Sequence, residues 1–212
     1  MRTVAWRVAQ LPFTLATCAL IVLAAFASYT AVGQTISRGA LHRFGSSPRD
    51  LFALNLGRII TSAFVTDGGL VFWMALTLTA LFVGAAEYFT DSGMAALVFW
   101  GAHFATFAVT GLVTLALGAA ESRLGELLFV TRDVGPSAGY VGCLGLALVC
   151  SGWKYRWWMI GLVAVALSVA LVLSLPELRT NPRDVSADIA HAVALAVGVG
   201  SGMGVQRRRR PG

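Results

Sequence analysis

Charge is scarce in this chain: 12% of its 212 residues are Asp, Glu, Lys or Arg, against 57% hydrophobic. A soluble domain carries about twice that charged share, so the composition and a mean hydropathy of +0.75 exclude an ordinary water-soluble fold. Lysine is almost absent, Lys154 being the single one, and the cations are otherwise arginines. That bias, with heavy use of Ala, Gly and Val, suggests a GC-rich and therefore bacterial genome. Histidine is limited to His42, His103 and His191, too scattered along the chain to form a ligand cluster in sequence. Cys18, Cys143 and Cys150 all fall in apolar stretches, without the spacing of zinc sites or redox motifs. Neither a metal nor a cofactor is expected. The alternating ten-residue segments of a membrane barrel are missing too.

Six apolar runs are present instead, at about residues 11–32, 70–89, 94–118, 134–150, 157–175 and 185–205. Each approaches the ~20 residues a helix needs to cross ~30 Å of hydrocarbon, and backbone groups in lipid must be satisfied within a helix. The expectation is an all-α polytopic membrane protein, one six-helix bundle over residues 1–212, with a long outer loop at 33–69 and a basic tail at 206–212. The first run is long for a signal peptide, with no small-x-small cleavage site at its end, and reads as a span.

Six spans place both termini on one side. That side would carry Arg2, Arg7, Lys154, Arg156 and Arg207 to Arg210 against Glu87 and Asp91, a balance of 8 − 2 = +6. The other would carry eight arginines against eight carboxylates, a balance of zero. Short basic flanks favour cytoplasmic termini. Four arginines abutting a span read as a topology anchor beside anionic lipid, so membrane lipid is an expected partner and nucleic acid is not.

Two short polar sites interrupt the apolar pattern, Gly135-Pro136-Ser137 at the opening of the fourth run and Ala190-His191 at that of the sixth. Both runs point the same way through the bilayer. Ser137 lies four residues, roughly 6 Å, past Asp133, and His191 three residues, roughly 5 Å, past Asp188, so the two side chains can share one depth. Gly139 and Gly142 on one helix and Gly198 and Gly202 on the other are small residues spaced for close helix approach. A histidine held against a serine can act as general base to it and then protonate the leaving amine. No third residue is evident, since Asp188 reads as a helix cap, and a Ser137/His191 dyad is expected. Gly135-x-Ser137-x-Gly139 also fits the soluble hydrolase elbow, but that motif needs a strand, and none is expected here.

Several segments together carry a family resemblance. Arg58-Ile59-Ile60-Thr61-Ser62-Ala63-Phe64 resembles the Trp-Arg-x-x-Thr-Ser-x-Phe stretch that ends the first loop of rhomboid intramembrane serine proteases, with Gly57 in place of the tryptophan. Gly84 and Glu87 resemble the family's Gly and Glu late in the second span. Gly135-Pro136-Ser137-Ala138-Gly139-Tyr140-Val141-Gly142 is similar to Gly-x-Ser-Gly-x-x-x-Gly, and Ala190-His191 with Gly198 to Ala-His-x-x-Gly-x-x-x-Gly. The resemblance, spread over nearly the whole chain, implies peptide-bond hydrolysis in or near transmembrane segments of membrane-protein substrates. It also implies structural roles for Glu87 and for Arg58, the latter binding loop carbonyls or lipid headgroups.

The sequence departs from the family where the oxyanion donors belong. Counting back from Gly84, Phe72 and Leu76 occupy the places of a second-span His and Asn, and neither can donate a hydrogen bond. Losing such a donor costs about 100- to 1000-fold in rate, unless backbone amides around Gly135, Ser137 and Ala138, or Thr77 or Thr79, replace it. The departure keeps a second reading open, a rhomboid-like pseudoprotease that binds transmembrane helices without cutting them. A third, a transporter or channel, rests only on His103 and Glu87 within apolar runs, and no inverted repeat accompanies them.

Overall fold

The computed structural model describes residues 11–31, 33–120 and 122–209. Arg2, Arg7, Val32, Glu121 and Arg210, which entered the span limits and charge balance, lie outside the described residues, as does the rest of the tail to 212.

Helices α1 (Pro12–Ala27), α2 (Arg38–Phe44), α3 (Pro48–Phe52), α4 (Leu56–Ser62), α5 (Gly69–Phe89), α6 (Ser92–Ala120), α7 (Ser122–Val130), α8 (Ser137–Cys150), α9 (Arg156–Ser174) and α10 (Pro182–Arg209) follow in order. Among the described residues there is no strand, only two isolated bridges, Thr35 with Gly68 and Ser46 with Asp133. Four helical stretches, Gly69–Phe89, Ser92–Gly118, Arg156–Glu177 and Pro182–Arg209, are long and apolar enough to cross a membrane, which marks an integral membrane protein. The six-span expectation is met at that level of detail only: α1, with 16 residues, and α8, with 14, are shorter than a full crossing.

The shortness of α8 follows from how the chain enters it. The expected run began at residue 134, yet Gly135 takes a φ of +133°, outside helical space, and the helix starts only at Ser137, after Pro136. At 1.5 Å per residue α8 spans about 21 Å, against ~30 Å of hydrocarbon, so one of its ends is recessed. α10 is instead longer than expected, starting three residues before its expected limit and continuing to Arg209. The segment 33–69, whose stretches 51–56 and 59–60 read as amphipathic and suited to the outer interface, contains the short helices α2, α3 and α4, and α7 was not expected at all.

α8 is the central post. Val141, Gly142, Cys143, Gly145, Leu146 and Val149 are buried among α5, α6 and α10. Its contact with α10 is backbone on backbone: a Cβ on Gly198 would overlap the Gly142 carbonyl, and one on Gly145 would sit 2.9 Å from the Leu195 carbonyl oxygen. Gly139 lies beneath the Phe99 ring and Gly202 against Val149. α9 is peripheral, packed on α10 and α8, with 6% of its apolar window buried.

Buried carboxylates fasten the periphery. Glu87 accepts hydrogen bonds from the N–H groups of Phe13 (3.0 Å) and Thr14 (2.8 Å), from Thr14 Oγ1 (2.6 Å) and from Ser92 Oγ (2.5 Å). It thereby closes the otherwise unsatisfied N-terminus of α1 and ties it to α5 and α6. Asp50 does the same for the outer segment: it accepts from Ser47 N (3.0 Å) and Ser47 Oγ (2.9 Å) and faces Arg132 Nη1 at 3.3 Å and Arg58 Nη1 at 3.8 Å. Arg58, expected to bind loop carbonyls or headgroups, faces this carboxylate and keeps 34% of its side chain accessible. Arg132 binds the carbonyl, donating to Gly45 O at 2.9 Å. Burial lowers the pKa of Arg132 below the ordinary arginine value, against the opposing pull of Asp50. Phe52, Leu54, Leu56 and Ile60 turn apolar side chains outward, as suits a segment lying in a membrane interface.

Gly198→Ala is expected to destabilise the bundle by about 2 kcal/mol or more through overpacking, despite alanine's better helix propensity. Gly200→Ala, where a Cβ meets nothing within 4 Å, should be neutral or stabilising. Unfolding midpoints of the two purified variants in detergent would test the contrast.

Candidate active site

Ser137 is the first residue of α8, and its neighbours explain the placement. Asp133 Oδ1 accepts from Val134 N (2.8 Å), the Asp133 and Ser46 backbones pair at 2.8 and 3.0 Å, and Gly135 N donates to Ser62 O (2.8 Å). These bonds pin the approach to α8 against the outer segment. Pro136 is the N-cap and offers no side-chain acceptor. The N–H groups of Ser137, Ala138 and Gly139 make no hydrogen bond within the described chain, leaving the positive end of the helix open.

Ser137 and His191 line one cavity of about 230 Å³, together with Tyr140 of α8 and Val71, Met74 and Ala75 of α5. His191 Nε2 is buried and has no hydrogen-bond partner. Ser137 Oγ and His191 are not hydrogen-bonded to each other, although the Gly142–Gly198 contact one turn or two deeper fixes their helices side by side. Val71 and Met74 line the cavity and are also about half exposed, at 47% and 52%, so this wall reaches the outer surface of the bundle.

On the other side of Ser137 a cavity of about 20 Å³ is lined by Ser62, His103, Thr106, Thr110 and Ser186. That is room for one water among polar partners. His103 Nε2 donates to Ile59 O at 2.9 Å and lies 3.4 Å from Ser62 Oγ, while its Nδ1 is buried and unpartnered. His103 and Glu87 are thus both engaged in holding elements together. Among the described residues no three His, Cys, Asp or Glu side chains gather as metal ligands would.

A guanidinium roofs the larger cavity. Arg183, in the first turn of α10, meets Asp67 Oδ1 at 2.7 Å and Asp133 Oδ1 at 3.1 Å. It ties the start of α10 to the segments entering α5 and α8. His191 lies eight residues farther along α10, roughly 12 Å below this roof. The Asp133 side chain keeps 25% of its surface accessible, but the apolar bulk around it raises its pKa above the ordinary carboxyl value, with Arg183 pulling the other way.

No protein-family model, no curated protein and no solved structure matches this chain. The site is therefore argued from its own geometry.

That geometry corrects the sequence reading of α5. Phe72 and Leu76 do not face Ser137 but pack toward Ile21 and Ala25 of α1, and Val71, Met74 and Ala75 face the cavity. The cause is the π-helical turn Thr79–Val83, which inserts one residue per turn and rotates everything before it by roughly 100°. Counting back from Gly84 at α-helical spacing lands on the neighbouring face. None of the three cavity residues has a side-chain donor. Thr77 is exposed and lines neither cavity, while Thr79 is buried with its hydroxyl unpartnered, outside both walls. The amides of Ser137 and Ala138 are the backbone donors beside Ser137 Oγ, and the Tyr140 and Thr66 side chains bring hydroxyl groups to the same cavity lining.

Sequence reasoning missed Arg183, Asp67 and Asp133 as a unit, and Tyr140 as a cavity wall. The acidic residues ahead of two spans and an arginine ahead of a third were the available signal, but ionic partners 50 and 116 residues apart carry no sequence signature.

Arg183→Gln leaves two carboxylates without their cation and is expected to lower stability by about 1–2 kcal/mol, discounted for partial exposure. Asp67→Asn keeps an acceptor for Arg183 and should cost less. Thermal unfolding of both variants in one detergent provides the comparison, and equal effects would contradict the roof as described.

Proposed function

We propose that this chain is an intramembrane serine protease of rhomboid type, in which Ser137 attacks a peptide bond in or near a transmembrane segment and His191 is its general base. The observation carrying this reading is that one cavity holds Ser137, at an uncapped helix start, and a buried His191 Nε2 with no other partner. A nucleophile, a free base and open backbone donors are the parts acyl transfer requires.

In this reading His191 Nε2 takes the Ser137 proton as Oγ bonds to the substrate carbonyl carbon. The carbonyl oxygen, now negative, is met by the amides of Ser137 and Ala138. Collapse of the adduct expels the amine, which leaves with the proton His191 took. Water then cleaves the acyl ester by the same route, and the small polar cavity beside Ser137 is a place from which it could come. A substrate helix would reach the site past Val71 and Met74, on the side where the cavity wall is also bundle surface. The finer topology belongs to the same reading: six spans including α1 and the recessed α8, both termini cytoplasmic, in a bacterial cytoplasmic membrane.

A second reading, a pseudoprotease that holds transmembrane helices uncut, is favoured by the apolar α5 wall and the missing Ser137–His191 hydrogen bond. One experiment separates them. The purified protein is treated with a fluorophosphonate probe beside Ser137→Ala and His191→Ala, and the three are then tested on a transmembrane reporter. The protease reading expects labelling and cleavage by the unmodified protein, with cleavage down at least ~1000-fold in either variant. Folded but unlabelled protein that still captures the reporter would establish the second reading instead.

A further inference from the structure

A further cavity lies at the opposite end of the bundle from Arg183, independent of Ser137 and His191. It measures about 460 Å³ and opens between the first turns of α6 and the last turns of α10. Its floor and one side are apolar, from Met94, Leu97 and Val205, and Leu97 is 66% exposed toward the flank of the bundle. Its rim carries Arg208 and Arg209. Arg209 donates to the Phe89 carbonyl, and no carboxylate pairs with Arg207, Arg208 or Arg209 among the described residues. The nearby Asp91 is already engaged, its Oδ1 accepting from Met94 N at 2.8 Å. The groove exists because α10 presents small residues here: a Cβ on Gly204 would meet nothing within 4 Å.

We infer that this groove binds one anionic phospholipid from the adjoining leaflet. Its phosphate would lie between the Arg208 and Arg209 guanidiniums, with an acyl chain running down past Leu97 and Val205. Neither half of the site is explained alone. Unneutralised cations at a membrane surface attract anionic headgroups, and an apolar groove open to the flank at the same point gives the attached chain a place that water or a free anion would not fill.

The test uses the full chain in detergent, measured by native mass spectrometry after addition of dioleoylphosphatidylglycerol or dioleoylphosphatidylcholine. The unmodified protein should retain one phosphatidylglycerol at least roughly tenfold better than phosphatidylcholine. Arg208→Gln with Arg209→Gln should abolish that preference. Gly204→Leu fills the groove with every arginine in place and should weaken phosphatidylglycerol retention severalfold. Equal retention of the two lipids by the unmodified protein, or phosphatidylglycerol retention untouched by Gly204→Leu, would overturn the proposal and leave only diffuse surface attraction. As a readout needing no variant, photoactivatable phosphatidylglycerol should crosslink to peptides containing Leu97 and Val205. Crosslinks scattered over the bundle flank would count against the site.

Discussion

The backbone contact between α8 and α10 is the constraint on which the rest of the molecule depends. Gly142 and Gly198 let two helices meet with no side chain between them, and lipid offers no hydrophobic drive to hold them otherwise. Dispersion across so close an approach, and exclusion of lipid from it, hold the pair together. With these axes fixed, Ser137 and His191 face one cavity although they lie 54 positions apart in sequence with the whole of α9 between them. α6 completes the post by seating Phe99 over Gly139, so that a Cβ at any of these glycines would be felt at the site.

Around that post the chain handles its few charges by one rule, that a buried carboxylate is surrounded by donors before it is buried. Glu87 is met by backbone and hydroxyl donors and fastens α1. Asp50 is met by Ser47, Arg132 and Arg58 and fastens the outer segment. Asp133 and Asp67, which are only partly covered, share Arg183 and fasten the roof. Each fastening lies at an end of the bundle, where membrane helices leave N–H or C=O groups without partners. The middle of the bundle carries no buried carboxylate among the described residues; apolar side chains fill it, with His103 and a few threonines such as Thr79 and Thr106.

The cavity is consequently firm at its top and back and least covered on the α5 side. The roof is ionic, the back is the α8–α10 seam, and the wall of Val71 and Met74 is shared with the outer surface. α9, scarcely buried, adds nothing to the cavity lining. Such a shape suits a long apolar ligand entering sideways better than a small solute entering from above. That is why a transmembrane segment is the ligand class proposed for it.

The helical, membrane-embedded character of the chain was legible in the sequence because hydropathy and length are local properties, and in lipid they leave little alternative to helix. The glycines of α8 and α10 and the polar openings at Ser137 and His191 were legible for the same reason, since each is a departure from an apolar background. Three features were decided only by tertiary structure. The π-helical turn moved Val71 and Ala75, not Phe72 and Leu76, to the cavity, because a one-residue insertion in a helix is invisible in a run that is apolar all round. The start of α8 at Ser137 rather than at residue 134 followed from bonds that Asp133 and Gly135 make to the distant Ser46 and Ser62. The pairing of Arg183 with Asp67 and Asp133 joined charges that the sequence only scattered. The sequence by itself determined what dissolves in the membrane and where polarity interrupts it. Which polar groups face one another depended on helix rotation and long-range contacts, and these exist only once the bundle has packed.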